Sequence, residues 1–390
     1  MNDIPLSLYI HLPWCVKKCP YCDFNSHEIK TNIPEETYIK ALIKDLQQQQ
    51  NLVGNREIIS IFIGGGTPST FSSQSIQHLL NSTQDLLNIS KLAEITIEAN
   101  PGTLDQENFA GFHDAGINRI SIGVQSFANL QLQQLGRIHD AQAAIESVRV
   151  AKQVGFENIN IDLMYALPGQ NEHTALNDVE QAIELQPTHI SYYQLTLEPN
   201  TAFYRQPPSL PDSQTSWDIQ QTGVKLLADH GYNQYEVSAY AQNKSQCAHN
   251  KNYWQFGDYI GIGAGAHQKL TLSSKNSIQR CEKPKHPQQY MNTMLKTDYS
   301  IPSHTLLYED IVFEFMLNAL RLKQGFSKQQ FEAHTGLKMA TIAENIETQV
   351  RAGLLVKEAD NIRCSDQGYR FLDDLQQTWL PQAQILDNIN

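Results

Sequence analysis

A regular alternation of short β-rich runs and helical patterns through the first half of the chain constrains the fold most strongly. Six runs rich in apolar residues predict buried strands at residues 8–12, 58–63, 95–98, 119–124, 159–163 and 189–197. Segments with helical periodicity lie between them, at residues 34–52, 75–87, 105–115, 141–154 and 174–185. This order predicts an α/β fold whose parallel sheet is closed or nearly closed into a barrel.

The loops after these strands hold the residues best suited to chemistry. In parallel barrels, active sites lie at the carboxyl ends of the strands. Five such loops carry a cysteine cluster at 15–22, a glycine run at 64–66, Glu98, Gln125 and Asp162. One edge of the predicted sheet is therefore the expected functional site.

The sequence divides into three parts. Residues 1–235 form the predicted barrel, residues 236–302 an extension and linker, and residues 303–390 a small helical, winged-helix-like domain. Within the second part, the polar stretch 272–302 is expected to be a linker or a long surface loop. In the third part, a helix at 312–323 ends near Gly325, and Ser327 with Gln330 predicts the start of the next. A third helix at 340–355 precedes a short β-like wing.

Charge and composition exclude several classes of protein. The net charge of −12 repels phosphate backbones and argues against nucleic-acid binding through bulk charge. Hydrophobic residues make up 41% of the chain, enough to build large cores and to exclude global disorder. The N-terminus lacks a signal-peptide pattern, and no apolar run reaches the ~18–20 residues of a membrane-spanning helix. The expected location is the cytoplasm.

Three of the six cysteines, Cys15, Cys19 and Cys22, cluster at the spacing C-x3-C-x2-C. One face of a helix would account for this spacing. Pro13 and Pro20 exclude a helix, because a proline in a helix interior removes a backbone donor and clashes with the preceding turn. The three thiols therefore lie on a loop, where they can hold three corners of a [4Fe–4S] cluster.

A structural zinc site is the alternative for this loop. It requires a fourth protein ligand, for which His11 and His27 are the close candidates. In a [4Fe–4S] cluster with three cysteine ligands, the remaining iron can bind the amino and carboxylate groups of S-adenosylmethionine (SAM), and electron transfer then cleaves SAM. The remaining cysteines, Cys247, Cys281 and Cys364, are expected to be ordinary thiols.

The cysteine segment resembles the signature of radical SAM enzymes. Residues 9–15 read Tyr-Ile-His-Leu-Pro-Trp-Cys, and residues 19–22 read Cys-Pro-Tyr-Cys. Four further segments, at 64–68, 97–101, 123–126 and 160–168, resemble the oxygen-independent coproporphyrinogen III oxidase family in the same order. With the C-terminal helical domain, the resemblance covers nearly the whole chain. It implies a partial parallel (β/α) radical SAM barrel.

The resemblance also implies a SAM site beside the cluster. The residues carried over by position are Tyr9, Tyr21, Gly65, Gly66, Thr67, Glu98, Gln125, Arg137, Asp162 and Thr196. In the family the glycine loop contacts the methionine amino group. Glu98 and Asp162 are implied as acceptors for SAM groups, with Gln125 and Arg137 as donors nearby. Helix capping or an ion pair at the barrel mouth would explain each of these four residues taken alone.

Two departures separate this chain from the oxidases of the family. The oxidases have another cysteine two residues after the third cluster cysteine, where this chain has Phe24. They also have a long arm before the cluster, whereas fourteen residues precede Cys15 here. Both departures argue against porphyrinogen decarboxylation.

Residues 249–254, His-Asn-Lys-Asn-Tyr-Trp, match the H-N-x-x-Y-W pattern of the heme chaperone subgroup. A neutral imidazole such as that of His249 is a good axial ligand for heme iron, and Tyr253 and Trp254 offer flat faces to a porphyrin. A hydrogen-bonded histidine beside core aromatic residues is the alternative interpretation. His267 is a second candidate ligand for heme.

The sequence thus supports two functions. The first is a radical-SAM-type heme chaperone that delivers heme to apo-haemoproteins such as respiratory enzymes, with a homodimer and transient membrane contact among its expected interactions. The second is an enzyme, an oxygen-independent coproporphyrinogen III oxidase that decarboxylates propionate side chains. A third reading, nucleic-acid binding by the C-terminal domain, lacks a concentrated basic recognition helix.

Overall fold

A computed structural model describes residues 4–101, 106–242, 244–272, 277–296 and 302–381. The strands are β1 Leu6–Leu12, β2 Trp14–Cys15, β3 His27–Glu28, β4 Ile58–Gly65, β5 Ile89–Ala99, β6 Arg119–Gln125, β7 Asn158–Tyr165, β8 His189–Gln194, β9 Asn233–Glu236, β10 Ala239–Ala241, β11 Asp258–Ile262, β12 His267–Leu272, β13 Ser277–Glu282, β14 Ser303–Thr305, β15 Phe326–Ser327, β16 Leu355–Glu358 and β17 Asn361–Cys364. The helices are α1 Glu35–Val53, α2 Ser73–Leu86, α3 Gln106–Asp114, α4 Asn129–Gln134, α5 Ala141–Val154, α6 Glu172–Glu184, α7 Ala202–Arg205, α8 Ser213–Asp229, α9 Ala248–Trp254, α10 Pro287–Met294, α11 Tyr308–Ala319, α12 Lys328–Thr335, α13 Ala343–Arg351, α14 Asp366–Arg370 and α15 Leu372–Gln377.

Twelve of the described strands form one sheet, in the order β14-β13-β12-β11-β1-β4-β5-β6-β7-β8-β10-β9. The seven strands from β11 to β8 are parallel, and the strands at both edges are antiparallel. The six predicted strands and five predicted helices are confirmed, although Asp105, the predicted start of α3, lies outside the described residues. Among the described strands the sheet stays open between β14 and β9, so the barrel is partial and its closure is not confirmed.

The central strands are buried on both faces, but the two faces differ in chemistry. In β1 the alternate residues Leu6, Leu8, Ile10 and Leu12 join the main hydrophobic core with the surrounding helices. The residues between them point to the opposite face, where Ser7 pairs in register with Ser60 and Tyr9 with Phe62. Helix α9 packs near this second face, which we call the polar face. Buried polar groups are costly unless they are hydrogen-bonded, so this face is where a functional site is expected.

The C-terminal part has a core of its own. Phe315, Phe326 and Phe331 lie at its centre, and the antiparallel strands β16 and β17 form the predicted wing. The oxygen of Ser327 accepts the backbone N–H of Gln330 and caps α12 as predicted. The helix predicted at 312–323 instead spans Tyr308–Ala319.

The stretch 272–302 differs from its expectation as a linker or loop. Its described residues include strand β13, which pairs with β12 over six positions, and helix α10. Lys283, just after β13, is completely buried and forms an ion pair with Asp45 of α1. The sequence looked polar because buried ion pairs and edge strands use the residue types that are typical of loops.

Candidate functional site

The cysteine loop follows the carboxyl end of β1. Its first cysteine, Cys15, lies in the two-residue strand β2 and not on a loop as predicted, whereas Cys19 and Cys22 lie between β2 and β3. Cys15 is buried, Cys19 and Cys22 are half-buried, and all three are free thiols. Burial raises the pKa of Cys15 to about 11, and the charges of Cys22 and Cys19 add to the rise, so the three sulfurs lie near one another. Three neighbouring free thiols fit a cluster whose irons are held by thiolates.

The zinc alternative gains no support from the described residues. Within the described ranges, no three or more His, Cys, Asp and Glu side chains gather around a position for one metal ion. His11 is held by the hydroxyl of Tyr9 at 2.9 Å and by the carbonyl of Asn25 at 3.0 Å, and the ring of His27 contacts His286. A [4Fe–4S] cluster asks for a different arrangement, because each cysteine binds a different iron.

The glycine run lies against the cysteine segment, with Gly64 and Gly65 at the end of β4 and Gly66 directly after it. Gly65 has φ +121°, and a Cβ there would lie 2.7 Å from the ring of His11. A Cβ on Gly66 would overlap the carbonyl of Trp14. The backbone N–H of Thr67 donates to this same carbonyl at 2.7 Å. The glycine run and the cysteine segment therefore approach each other as closely as glycine allows. This places the backbone of the glycine run beside the cysteines.

Glu98 and Asp162 are half-buried and place their carboxyl groups on the polar face. Glu98 Oε2 accepts the backbone N–H of Gly65 at 3.1 Å, and Asp162 accepts from Ser121 at 3.1 Å and from Asn160 at 2.8 Å. Burial raises the pKa of Glu98 to about 7, and the charge of Asp162 adds to the rise. Burial also raises the pKa of Asp162. A cationic ligand would stabilise the ionised form of both groups.

Arg137 connects the cysteine loop to the strand ends. Its guanidinium donates to the Sγ of Cys19 at 3.6 Å, to the carbonyl of Gly123 at 2.7 Å and to the side chain of Asn100. Asn100 in turn donates to the hydroxyl of Thr67 at 2.9 Å.

Sequence reasoning did not assign a role to Asn100, although it lies in the segment 98–101 that was singled out. Cys19, Thr67, Asn100 and Arg137 line a small open cleft. The signal that could have identified Asn100 is its place two residues after Glu98, at the carboxyl end of a buried strand.

The other predicted SAM residues lie at varying distances from this cleft. Gln125 has φ +70° and accepts from the hydroxyl of Tyr193 at 2.8 Å. Tyr21 packs on Phe203, and burial raises its pKa. Tyr9 lies on the polar face and stacks on Phe62. Thr196 was expected on the last strand, but β8 ends at Gln194 because the chain turns away, and Thr196 is exposed beyond it.

His249 lies in a second region of the polar face. It is buried at 1% exposure, its Nδ1 contacts the hydroxyl of Ser60 at 3.2 Å, and its ring stacks on Phe62. Burial lowers its pKa to about 3, and the charge of Arg119 adds to the fall. Its Nε2 is buried and has no hydrogen-bond partner among the described residues. Four residues of β4 separate Ser60 from Gly64, or about 13 Å, so His249 and the cysteine loop form separate sites.

Known proteins share both parts of this architecture. A model of the Radical SAM superfamily matches residues 9–182, and a model of the HemN C-terminal domain matches residues 306–371. The fold is shared with the solved structure of coproporphyrinogen III oxidase (HemN) from Escherichia coli, with a TM-score of 0.82 over 97% of this chain and 91% of that one, at 22% identity. The fold and the cysteine loop together define a radical SAM protein.

Curated relatives narrow the family. The heme chaperone HemW of Haemophilus influenzae is 48% identical over 97% of this chain and 98% of its own. The heme chaperone HemW of Escherichia coli is 46% identical over 97% of this chain and 99% of its own. The chain belongs to the HemW family of radical SAM proteins. The [4Fe–4S] cluster and SAM are the cofactors that this superfamily implies.

Proposed function

We propose that this protein binds heme and delivers it to apo-haemoproteins, with a [4Fe–4S] cluster and SAM bound at the opposite end of the polar face. The observation that carries the proposal is His249, a buried imidazole with an unpartnered Nε2 among the described residues. Its low pKa keeps the imidazole neutral, which is the form that binds heme iron. The names of the relatives support the same function.

The cofactor residues form one group in this proposal. Cys15, Cys19 and Cys22 would hold the cluster, and Gly65, Gly66, Thr67, Glu98, Gln125, Arg137 and Asp162 would hold SAM, with Tyr9, Tyr21 and Thr196 as the further residues inferred from sequence. Bound together, the cluster and SAM supply electron transfer and radical chemistry. The chain's own contribution is to hold the thiol of Cys19 beside Arg137 and to present the carboxyl of Glu98.

Phe24 argues against the oxidase alternative. This residue stands where the oxidases have a further cysteine, and its side chain is 61% exposed. The structural likeness to the oxidase concerns the fold, since the two sequences share 22% identity. The heme chaperone function is therefore the one we propose, and whether SAM is turned over is a separate question for the same protein.

An anaerobic heme titration tests the proposal. Cluster-loaded protein is titrated with heme, and binding is read from Soret absorbance and from co-elution of heme on gel filtration. We expect the His249→Ala variant to retain much less heme than the parent, because an axial ligand is lost. His173→Ala, at an exposed position on α6, serves as the matched control. The proposal is wrong if the parent retains no heme, and His249 is not the ligand if both variants bind as the parent does.

Delivery is tested in a second step. Heme-loaded protein is mixed with an apo-haemoprotein of a respiratory enzyme, and the recipient's activity is followed. We propose that this transfer occurs in the cytoplasm. The proposal also includes a homodimer and transient contact with the membrane. Among the described residues, none of the helices combines the length and apolar character that crossing a membrane requires. Restored activity that depends on the donor's heme supports the proposal.

The same proposal assigns a part of the chain to each step. Residues 1–235 would hold the cluster and SAM, residues 236–302 would carry the heme segment, and residues 303–390 would pack beside it. The ion pair between Arg321 and Glu236, at 3.0 Å, is one link between the last two parts.

A further inference from the structure

A second cavity lies next to the heme segment and apart from the cysteine loop. It has a volume of about 150 Å³ and is lined by Tyr253, Trp254, Tyr259, Lys269, Arg280 and Asn318, among others. Ligand pockets of roughly 300–1,000 Å³ enclose drug-sized molecules. This cavity therefore has room for one edge of a macrocycle but not for all of it. Its walls come from α9, β11 and β13 on one side and from α11 of the C-terminal core on the other.

The aromatic walls suit a flat ligand. The rings of Tyr253 and Tyr259 meet edge to face, with centroids 4.4 Å apart. Tyr253 also contacts the ring of His249, with centroids 4.7 Å apart, so it connects the cavity to the candidate axial ligand. The Nε1 of Trp254 is buried and has no hydrogen-bond partner among the described residues, which leaves a donor beside the cavity.

Two cations line the cavity, and Lys269 is buried in an ion pair with Asp258 at 2.9 Å. Arg280 is the more exposed of the two. Its Nε donates to the carboxylate of Glu314 at 3.0 Å, its Nη2 reaches the same oxygen, and its Nη1 donates to the hydroxyl of Tyr259. A guanidinium has five N–H groups, and these contacts occupy three of them. The pair is half-buried, with 20% of the Arg280 side chain and 22% of the Glu314 side chain exposed. Glu314 thus presents a carboxylate to the guanidinium at the wall of an aromatic cavity.

We propose that Arg280 binds a propionate carboxylate of heme in this cavity, and that this propionate replaces the carboxylate of Glu314 as the partner of Arg280. The inference rests on the proposed heme function and adds the anionic end of the ligand to it. A tetrapyrrole with propionate groups matches the cavity in shape, through its flat edge, and in charge, through its carboxylate. Arg280 lies on β13 and Glu314 on α11, so the exchange also releases one link between the main sheet and the C-terminal core.

The two partners of the ion pair give opposite predictions. Arg280→Gln removes the guanidinium, and we expect heme to bind about tenfold more weakly, since a hydrogen bond to a charged group is worth roughly that factor. Glu314→Gln removes the competing carboxylate. We expect heme to bind roughly several-fold more tightly, because a hydrogen bond to a charged group no longer has to be broken. If the pair were only structural, both variants would lose heme affinity or neither would change it.

The experiment titrates heme and heme dimethyl ester into the parent, Arg280→Gln and Glu314→Gln. Arg363→Gln, which removes an ion pair with Glu358 in the wing, is the matched control. Thermal unfolding of each variant identifies losses that arise from misfolding. We expect the parent to prefer the free acid over the ester by about tenfold, and Arg280→Gln to lose this preference.

Each outcome decides between the two proposals. A parent that binds neither tetrapyrrole overturns the heme function and this inference with it. A parent that binds heme while Arg280→Gln keeps both its affinity and its preference for the acid overturns this inference alone. A folded Glu314→Gln variant that binds heme more weakly than the parent also contradicts the exchange, because the carboxylate would then be helping the ligand.

Discussion

Replacing Glu98 by glutamine should make the protein more stable at high pH. The side chain of Glu98 is half-buried on the polar face, close to Asp162, and its carboxyl accepts one backbone N–H, from Gly65. Glutamine keeps an oxygen that can accept the same hydrogen bond and cannot ionise. The substitution therefore isolates the cost of a buried negative charge.

The magnitude follows from the pKa. The pKa of Glu98 rises from 4.5 to about 7 in the folded protein, because burial and Asp162 both disfavour its ionised form. The folded state then binds the proton more tightly than the unfolded state, so this contribution to stability is present below pH 4.5 and is lost as the pH rises through 7. Each tenfold change in proton affinity is worth about 1.4 kcal/mol. Between pH 5 and pH 8 the free energy of unfolding of the parent should therefore fall by roughly 2–3 kcal/mol through Glu98, and the variant should not show this fall.

Urea denaturation of cluster-free parent and Glu98→Gln protein at several pH values measures this difference. Glu180→Gln, at an exposed position on α6, is the control and should track the parent. Other titrating groups contribute to both proteins, so the difference between them is the readout. Parallel stability profiles of the parent and Glu98→Gln would refute the reasoning, because they would show that Glu98 does not titrate in this range.

The SAM proposal adds a second consequence for Glu98. SAM is cationic at its sulfonium, so binding near Glu98 should lower the pKa of the carboxyl and release a proton near neutral pH. Calorimetry in two buffers of different ionisation enthalpy measures that release for cluster-loaded protein. Glu98→Gln should bind SAM with less proton release, and equal release from both proteins would place Glu98 outside the SAM site.

Three further changes test other parts of the structure. Lys283→Met should cost about 3–5 kcal/mol in urea denaturation, because Asp45 is left as a buried charge without its cation. Cys22→Ser should abolish the broad iron–sulfur absorbance after anaerobic reconstitution, since a hydroxyl is a poor substitute for a thiolate ligand. Gly65→Ala should cost roughly 2–4 kcal/mol by thermal unfolding, from a left-handed backbone and a steric clash, whereas Gly116→Ala has the backbone strain alone and should cost about 1 kcal/mol.

Controls and contrary outcomes differ for these changes. Lys40→Met breaks an exposed ion pair and should change the free energy of unfolding little. If it lost as much stability as Lys283→Met, burial of the ion pair would not be the cause of the loss. Cys364→Ser, in the C-terminal core, should keep the iron–sulfur absorbance, and unchanged absorbance in Cys22→Ser would mean that the ligands are elsewhere. Equal losses of stability in Gly65→Ala and Gly116→Ala would show that the clash with the ring of His11 does not contribute.

The sequence alone determined the order of the strands and helices in the first half of the chain. Apolar runs of β-branched residues and helical periodicity are local patterns, so the six strands and five helices could be predicted within a few residues. Pro13 and Pro20 likewise excluded a helix for the cysteines, because proline acts on its own backbone. The position of Glu98, Gln125 and Asp162 near strand ends followed from the same local reasoning.

Only the tertiary structure decided which side chains meet and how far the sheet continues. Asn100, Arg137 and Cys19 lie far apart in sequence, and their contact depends on the pairing of neighbouring strands. The described residues of the stretch 272–302 include strand β13 of the sheet and Lys283, which is buried against Asp45, a pairing across 238 residues that no local pattern contains. Burial of His249 and the cavity beside Arg280 likewise arise from packing between distant segments, which is a property of the folded chain and not of any single segment.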